Sequence, residues 1–425
     1  MNSHNNKKMS LNDHDEIWKI FRNNYILDQK LIHFTLAIHV PHSISLNKEI
    51  DYYRKLIDTN PDLMRRERHK YTTETLEAAA RYLGTDKSLI ALTDSSTMSL
   101  SLILNGIEFQ KGTEILTTDS EHYSLEKLCE SSAKKYNLTI KKIDISNKLN
   151  NITKKQIVKS IIDNINDKTS LIAISWVNSR FGIKFPLKEI SKELKKINFS
   201  REENKKILLC VDGVHGFGIE NLNSIHDLGV DFFAAGCHKW LFGPSGTGLL
   251  WCSERGWKRL NPIIPSFEKI AWDHYLEWDN KKYTEDELIK ARMCTPGGFK
   301  TFEYFWALKH AFETHEKIGK ENIQERVHYF SQICKNEIKK IPNAVLLTPS
   351  SSSLSSGFVC FKIKDIKPTE IVAKMSEHNI IIGQSPYKDS CLRITPSIYN
   401  TEEEVIYACN KLFEIVNELN HDEKK

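Results

Sequence analysis

Paired cysteines, long apolar runs and tracts of one charge are all scarce in this chain. Nine cysteines are present, but no two have C-x-x-C spacing and the number is odd. That argues against a disulfide scaffold or a structural zinc site, and no metal is expected. No apolar run approaches the ~18 residues that a membrane span needs, so no membrane association is expected. The stretch from Met1 to Asp15 is polar, and Lys7-Lys8 precede no apolar segment. Neither a secretory signal nor an anchor is visible, and a cytoplasmic location follows by default. The net charge of +5 comes from lysines spread among acids, as in Lys335-Asn336-Glu337-Ile338-Lys339-Lys340, which reads as solvated helix faces and not as nucleic-acid binding. The glycine-rich run from Gly243 to Gly248 precedes a strand and does not open a helix after one, which excludes a dinucleotide fingerprint.

What is there is an ordinary globular composition, 40% hydrophobic and 27% charged. A chain of 425 residues exceeds the ~250–300 at which single cores stop growing, so two domains are expected. Periodicity predicts helices over Glu16–Ile32, Leu46–Asn60 and Thr73–Leu83, the last closed by Gly84, with an extended segment from His33 to Pro41. Strands and helices then alternate through residue 250, the pattern of a mostly parallel sheet with crossover helices. A helix pattern from Thr301 to about Lys340 breaks near Gly319. Beyond it come short strands and two helices, Thr369–Ser376 and Thr401–Leu419, the latter opened by a Thr401/Glu404 capping box. This is a small α+β domain.

Chemistry concentrates in Asp212-Gly213-Val214-His215-Gly216-Phe217-Gly218 and Gly236-Cys237-His238-Lys239-Trp240. The apolar run Ile207 to Val211 is a buried strand that ends at Asp212, and a second run, Val230 to Ala235, delivers Lys239 just past another strand end. In open α/β sheets that edge is where ligands bind. A lysine among His, Trp and glycines, opposite a carboxylate, suits a Schiff base to pyridoxal phosphate, with Asp212 pairing the pyridinium nitrogen. A surface lysine and a capping aspartate have the same spacing.

The Asp, a His three residues on and a later His-Lys pair resemble the cofactor core of the class V aminotransferase family of fold-type I pyridoxal-phosphate enzymes. That family includes cysteine desulfurases, kynureninases and isopenicillin N epimerase-like proteins. The resemblance runs from about Phe34 to Thr401. It implies an α/β fold with a mostly parallel sheet of about seven strands, helices on both faces and a smaller α+β domain. Residues 1–45 form an N-terminal segment associated with the small domain, 46–300 the large cofactor domain, and 301–425 the linking helix and small domain.

Residue by residue, the resemblance places Ser96 and Thr97, in a hydroxyl-rich turn opening a helix, on the cofactor phosphate. It stacks His122, of the Glu121-His122 pair, on the ring, and gives Ser179 a hydrogen bond to the ring oxygen or the substrate. Asn178 beside it and His39 look onto substrate, with Arg180 an optional anion contact. Asp212, His215, His238 and Lys239 complete the cofactor set. Thr295, in Cys294-Thr295-Pro296-Gly297-Gly298, reaches a neighbour's phosphate, which implies a homodimer with active sites at the interface. Arg393 holds the carboxylate of an amino-acid-like substrate bidentately. Lys239, His122 and Asp212 are the catalytic candidates.

Two departures stand out. No cysteine lies in Gln384-Ser385-Pro386-Tyr387-Lys388-Asp389, the region of the desulfurase nucleophile, and Cys391 sits on the strand of Arg393. Gly236 occupies a position where many relatives carry a phosphate-binding serine. The implied chemistry is at the α carbon of a carboxylate-bearing amine, aminotransferase-like or epimerase-like. A C–S or other β-lyase is the alternative, and a catalytically inactive binding protein a further one. The aromatic stretch Ala271 to Trp278 fits an access loop or an interface.

Overall fold

The computed structural model describes residues 11–146, 152–276, 283–284 and 288–422. Its strands, in chain order, are β1 (Ile32–His33), β2 (Ile90–Thr93), β3 (Glu114–Thr118), β4 (Thr139–Ile143), β5 (Thr169–Ser175), β6 (Leu208–Asp212), β7 (Phe232–Gly236), β8 (Gly248–Cys252), β9 (Ala344–Leu346), β10 (Val359–Ile363), β11 (Ile380–Ile381), β12 (Gly383–Gln384) and β13 (Leu392–Ile394). A seven-stranded sheet has the order β2-β8-β7-β6-β5-β3-β4. Only β8 runs antiparallel to its neighbours; the remaining pairs are parallel.

The central strands β5, β6 and β7 are buried almost throughout, as near-continuous apolar runs in a sheet covered on both faces should be. One cluster, including Ile174, Val211, Phe233 and Phe312, packs on one face. A second, including Leu100, Ala173, Cys210 and Phe232, packs on the other.

A four-stranded antiparallel sheet, ordered β12-β13-β10-β9, forms the smaller unit with helices Lys320–Ile338, Pro368–Glu377 and Glu402–Asp422 around Phe361, Met375 and Leu412. The expected break falls at Gly319, between helices Phe302–Ile318 and Lys320–Ile338; its φ of 92° suits glycine. The capping box is present: Glu404 N–H donates to Thr401 Oγ1 (3.3 Å) and Thr401 N–H to Glu404 Oε2 (3.2 Å).

The N-terminal expectations need correction. The first helix covers Leu11–Asn23 and stops well short of Ile32, because Asn24 leaves it to bind Ser45 through Nδ2 (2.7 Å) and to accept Ser45 N–H (3.1 Å). That contact anchors the start of helix Ile44–Thr59, whose cap is Ser43. The segment expected to be extended is strand only at β1, which pairs with β11; Ile38 N–H then closes a turn onto Thr35 O. Trp18, Phe21 and Tyr25 pack against Trp240 and Phe242 from the large sheet side and against Ile398 and Tyr399 from the small. The predicted helix over Thr73–Leu83 begins already at Pro61, since Pro at the first position is preset for a helix. Charged Asp62 to Lys70 carry no apolar periodicity to announce it.

Candidate active site

Parallel order brings every chemistry-bearing turn to one edge of the large sheet. Strands β3, β5, β6 and β7 end there at Thr118, Ser175, Asp212 and Gly236, and the pairing Thr93–Gly248–Gly236 puts the end of β2 at the same edge. Close packing fixes the turn after Asp212. A Cβ on Gly213 would lie 2.1 Å from the Phe233 ring, and one on Gly218, at φ 89°, 2.6 Å from Leu241 N. These glycines are therefore demanded by backbone approach.

Asp212 is buried, and Val214 N–H donates to its Oδ1 (3.1 Å). Burial raises its pKa, while that hydrogen bond and the charge of Lys239 work against the rise. Lys239 is held below the ordinary lysine range by burial, with Asp212 opposing the shift and Arg393 adding to it. No ion pair joins Lys239 to Asp212 among the described residues, although each feels the other's charge. His215, buried, accepts Trp240 Nε1–H at Nδ1 (3.3 Å) and lies edge-on to Phe358. Burial and then the charges of Lys239 and Arg393 push its pKa well down. His238 has a buried Nδ1 with no hydrogen-bond partner among the described residues.

At the end of β2, Ser95 is the cap of helix Ser96–Gly106, accepting Met98 N–H (3.1 Å). Ser96 and Thr97 are thereby left at the first turn with half-buried and exposed side chains. His122 keeps much of its side chain in contact with solvent and caps helix Tyr123–Tyr136 by accepting Ser124 N–H at Nδ1 (3.3 Å). Partial desolvation, then the charges of Lys239 and Arg393, lower its pKa. His39 is exposed, and its charge bears on His238.

At the tip of β5, Asn178 donates from Nδ2 to Ser120 O (2.5 Å) and accepts Arg180 N–H and Phe181 N–H at Oδ1 (2.9 and 3.1 Å). Completely buried, it shapes the turn. Ser179 is buried too, and joins the two sheets: its Oγ meets Tyr387 Oη at 2.8 Å, and its carbonyl accepts Arg393 Nη1 (3.4 Å). Thr295 is buried and donates to Ala291 O (2.8 Å). Of the aromatic stretch, Ala271 to Leu276 are helical; Glu277 and Trp278 lie outside the described residues.

Two residues of this neighbourhood were not assigned from the sequence. Tyr387 arrives on the β12–β13 connection, where nothing in the local pattern marks it. Glu121, fully enclosed, accepts Thr118 Oγ1 (2.6 Å) at Oε1, and Ser175 N–H (2.9 Å) and Oγ (2.5 Å) at Oε2, tying the tip of β3 to the tip of β5. Burial pushes its carboxyl up to about 7 against those hydrogen bonds, and Asp212 adds to the rise. The hydroxyls just before it, Thr118 and Ser120, were a hint, as was its place in the Glu121-His122 pair.

Comparison with known proteins agrees with this geometry. The family model for aminotransferase class V matches residues 45–407; the chain belongs to that family, one of pyridoxal-phosphate-dependent enzymes. It is similar to isopenicillin N epimerase of Streptomyces clavuligerus, with 22% identity over 401 residues, 91% of this chain and 96% of that one. It is also similar to a probable cysteine desulfurase of Mycoplasma genitalium, with 26% identity covering 81% of this chain and 82% of that one. Among solved structures, apo cysteine desulfurase from Thermococcus onnurineus shares the fold at a TM-score of 0.78 and 20% identity, over 94% of this chain and 98% of that one. No helix among the described residues is long and apolar enough to cross a membrane.

Proposed function

We propose that this class V enzyme acts at the α carbon of a carboxylate-bearing amine, in an aminotransferase-like or epimerase-like reaction, with pyridoxal phosphate held by Lys239. The observation that carries the reading is the pairing of Lys239 with Asp212 on adjacent strand tips, electrostatically coupled but without a direct ion pair. The surroundings fit a flat, anionic cofactor: a buried His238 Nδ1 is unpartnered, and the first turn of helix Ser96–Gly106 opens at the same edge. Bound there, pyridoxal phosphate supplies an electron sink for the bond broken at the α carbon.

The chain's own groups do the rest. Asp212 keeps a proton on the ring nitrogen, since a buried carboxylate is stabilised by a cation beside it. Ser96, Thr97 and His238 hold the phosphate, His122 covers the ring, and His215 and Ser179 orient it. Arg393, buried with no carboxylate partner among the described residues, takes the α-carboxylate and aligns the scissile bond. The Lys239 amine, its proton affinity already lowered, moves the α proton as general base. His39 lines the approach. Residues 46–300 serve as the cofactor domain and 301–425 as the linking helix and small domain that carries Arg393, with residues 1–45 an N-terminal segment associated with the small domain; Thr295 completes a neighbour's site in a homodimer. Sedimentation of the loaded enzyme as a monomer overturns that last element.

All nine cysteines are buried, and Cys391 Sγ packs on Ser385 Oγ (3.5 Å) and Arg180 O (3.6 Å). That arrangement supports α-carbon proton chemistry over sulfur transfer to a cysteine. The test is spectroscopic. Purified protein should show a visible absorbance band that borohydride abolishes and that Lys239→Ala lacks. Incubation with amino acids then separates outcomes: conversion of the cofactor to its amine form marks transamination, solvent-hydrogen exchange at the α carbon with inversion marks epimerisation, and an oxo acid with ammonia marks elimination. A wild-type protein with no such band removes the reading.

A further inference from the structure

A second guanidinium, beside the Tyr387 that also meets Ser179, has no carboxylate within ion-pair distance among the described residues. Arg180 follows Ser179 at the tip of β5. Its Nη1 donates to Asp119 O (2.9 Å), while its Nε is enclosed with no acceptor among the described residues. Its Cζ lies 5.7 Å from the Tyr387 ring centroid and 4.9 Å from that of Phe181. Arg180 as a whole is half-buried, whereas Arg393 is 7% exposed; Arg393 packs over the Phe358 ring at 5.5 Å and donates from Nη1 to Ser179 O (3.4 Å). Tyr387 links the two: its hydroxyl bonds to Ser179 Oγ, its ring lies near Arg180, and the charge of Arg393 bears on its phenol.

Neither arginine has a carboxylate within ion-pair distance among the described residues, and the acids of the neighbourhood are already engaged. Asp119 turns away to accept Ile145 N–H (3.1 Å) and Ser146 Oγ (2.5 Å). Asp389 is paired with Lys362 (2.5 Å). Glu121 has both oxygens occupied by Thr118 and Ser175. Asp212 answers Lys239. An enclosed guanidinium without an anion is costly to maintain, and a planar fork is matched to a carboxylate. One arginine accounts for the α-carboxylate; the other is left over.

We propose that the substrate is an amino acid with a second acidic group on its side chain, and that Arg180, backed by Tyr387, recognises that group while Arg393 holds the α-carboxylate. The inference rests on the function proposed above and deepens it to a substrate class. Specificity of this kind arises because a charged donor left without its partner in an enclosed site penalises neutral analogues.

The test compares the affinities of L-glutamate and L-2-aminoadipate with those of L-glutamine and L-norleucine for the pyridoxal-phosphate-loaded enzyme, by titrating its visible absorbance and, independently, its thermal midpoint. The acidic members should bind about 10- to 100-fold more tightly, the range expected of hydrogen bonds to a charged group. Arg180→Met should bring that ratio close to one, and Arg180→Lys should keep part of it. Equal binding of acidic and neutral members by the wild type overturns the proposal without any variant having to fold. An undiminished preference in a folded Arg180→Met protein overturns it as well. Loss of the cofactor band in the wild type is a different failure, because it removes the proposed function and this inference together.

Discussion

Lys239 and Lys335 are both enclosed, and both are held below the ordinary lysine range by burial. Lys335, in helix Lys320–Ile338, is 1% exposed and goes down to about 8. Its ammonium is nonetheless fully engaged in a structural role, donating to Ser350 O (3.0 Å) and Ser355 Oγ (2.9 Å) and so pinning the serine-rich connection before β10. Lys239 has the charge of Asp212 beside it, neighbouring histidines and an open edge, but no such anchoring bonds among the described residues. The histidines repeat the contrast. His315 lies in the core with both ring nitrogens unpartnered, whereas the unpartnered Nδ1 of His238 stands at the sheet edge. Desolvation alone therefore does not mark a site. What marks one is a desolvated group at the edge where strand ends converge, left unsatisfied by its own chain.

The sharpest way to break this comparison is to exchange the lysines' fates. Lys239→Ala should abolish the visible band and lower turnover by at least ~10²–10⁴-fold, the usual contribution of a positioned proton-transfer group. Lys335→Met should keep both band and turnover but lower unfolding free energy by ~1–3 kcal/mol in a denaturant titration, because the buried Ser355 Oγ and the Ser350 carbonyl lose their donor. A Lys335 variant lacking the band would show that the two neighbourhoods are not separable.

A smaller effect is expected from His315. Burial pushes its imidazole from 6.5 down to about 3, so between those values the unfolded chain takes up a proton that the folded chain refuses. Its contribution to stability is intact above pH 6.5 and is lost progressively as pH falls toward 3. Stability curves measured across that window should be flatter for His315→Leu than for the wild type, with the visible band unchanged at pH 7.

The smallest effects separate neighbouring serines. Ser95→Ala removes a helix cap and should cost ~0.5–2 kcal/mol of stability. Ser96→Ala should instead weaken cofactor binding by about 10-fold, the equivalent of one hydrogen bond to a charged group, with little change in unfolding. Equal behaviour of the two variants would erase the distinction between cap and ligand contact.

Local rules explain most of what was legible. Gly319 parts two helices because few other residues take its backbone conformation, and Thr401 with Glu404 closes a cap within four residues. The helix expected through Ile32 failed because Asn24 is captured by Ser45, a partner that periodicity does not reveal. The helix start at Pro61 failed for the opposite reason, a solvated charged face with no apolar stripe. Asn178 was assigned from its position at a strand tip; that its amide is bound to Ser120 and to the backbone of its own turn is a contact that no local pattern reveals.

Taken alone, the order of residues determined the alternation that makes a parallel sheet, the two acid- and lysine-bearing strand ends, and the family to which they belong. These are short-range patterns, each contained in a strand and the turn after it. The tertiary structure decided which side chains share a cleft. It brought Tyr387 and Arg393 from the small sheet to Ser179 and Arg180 on the large one, tied Glu121 to Ser175, and left Lys335 bonded while Lys239 was not. Contacts between residues some two hundred positions apart depend on how two sheets pack, and no local spacing carries that information.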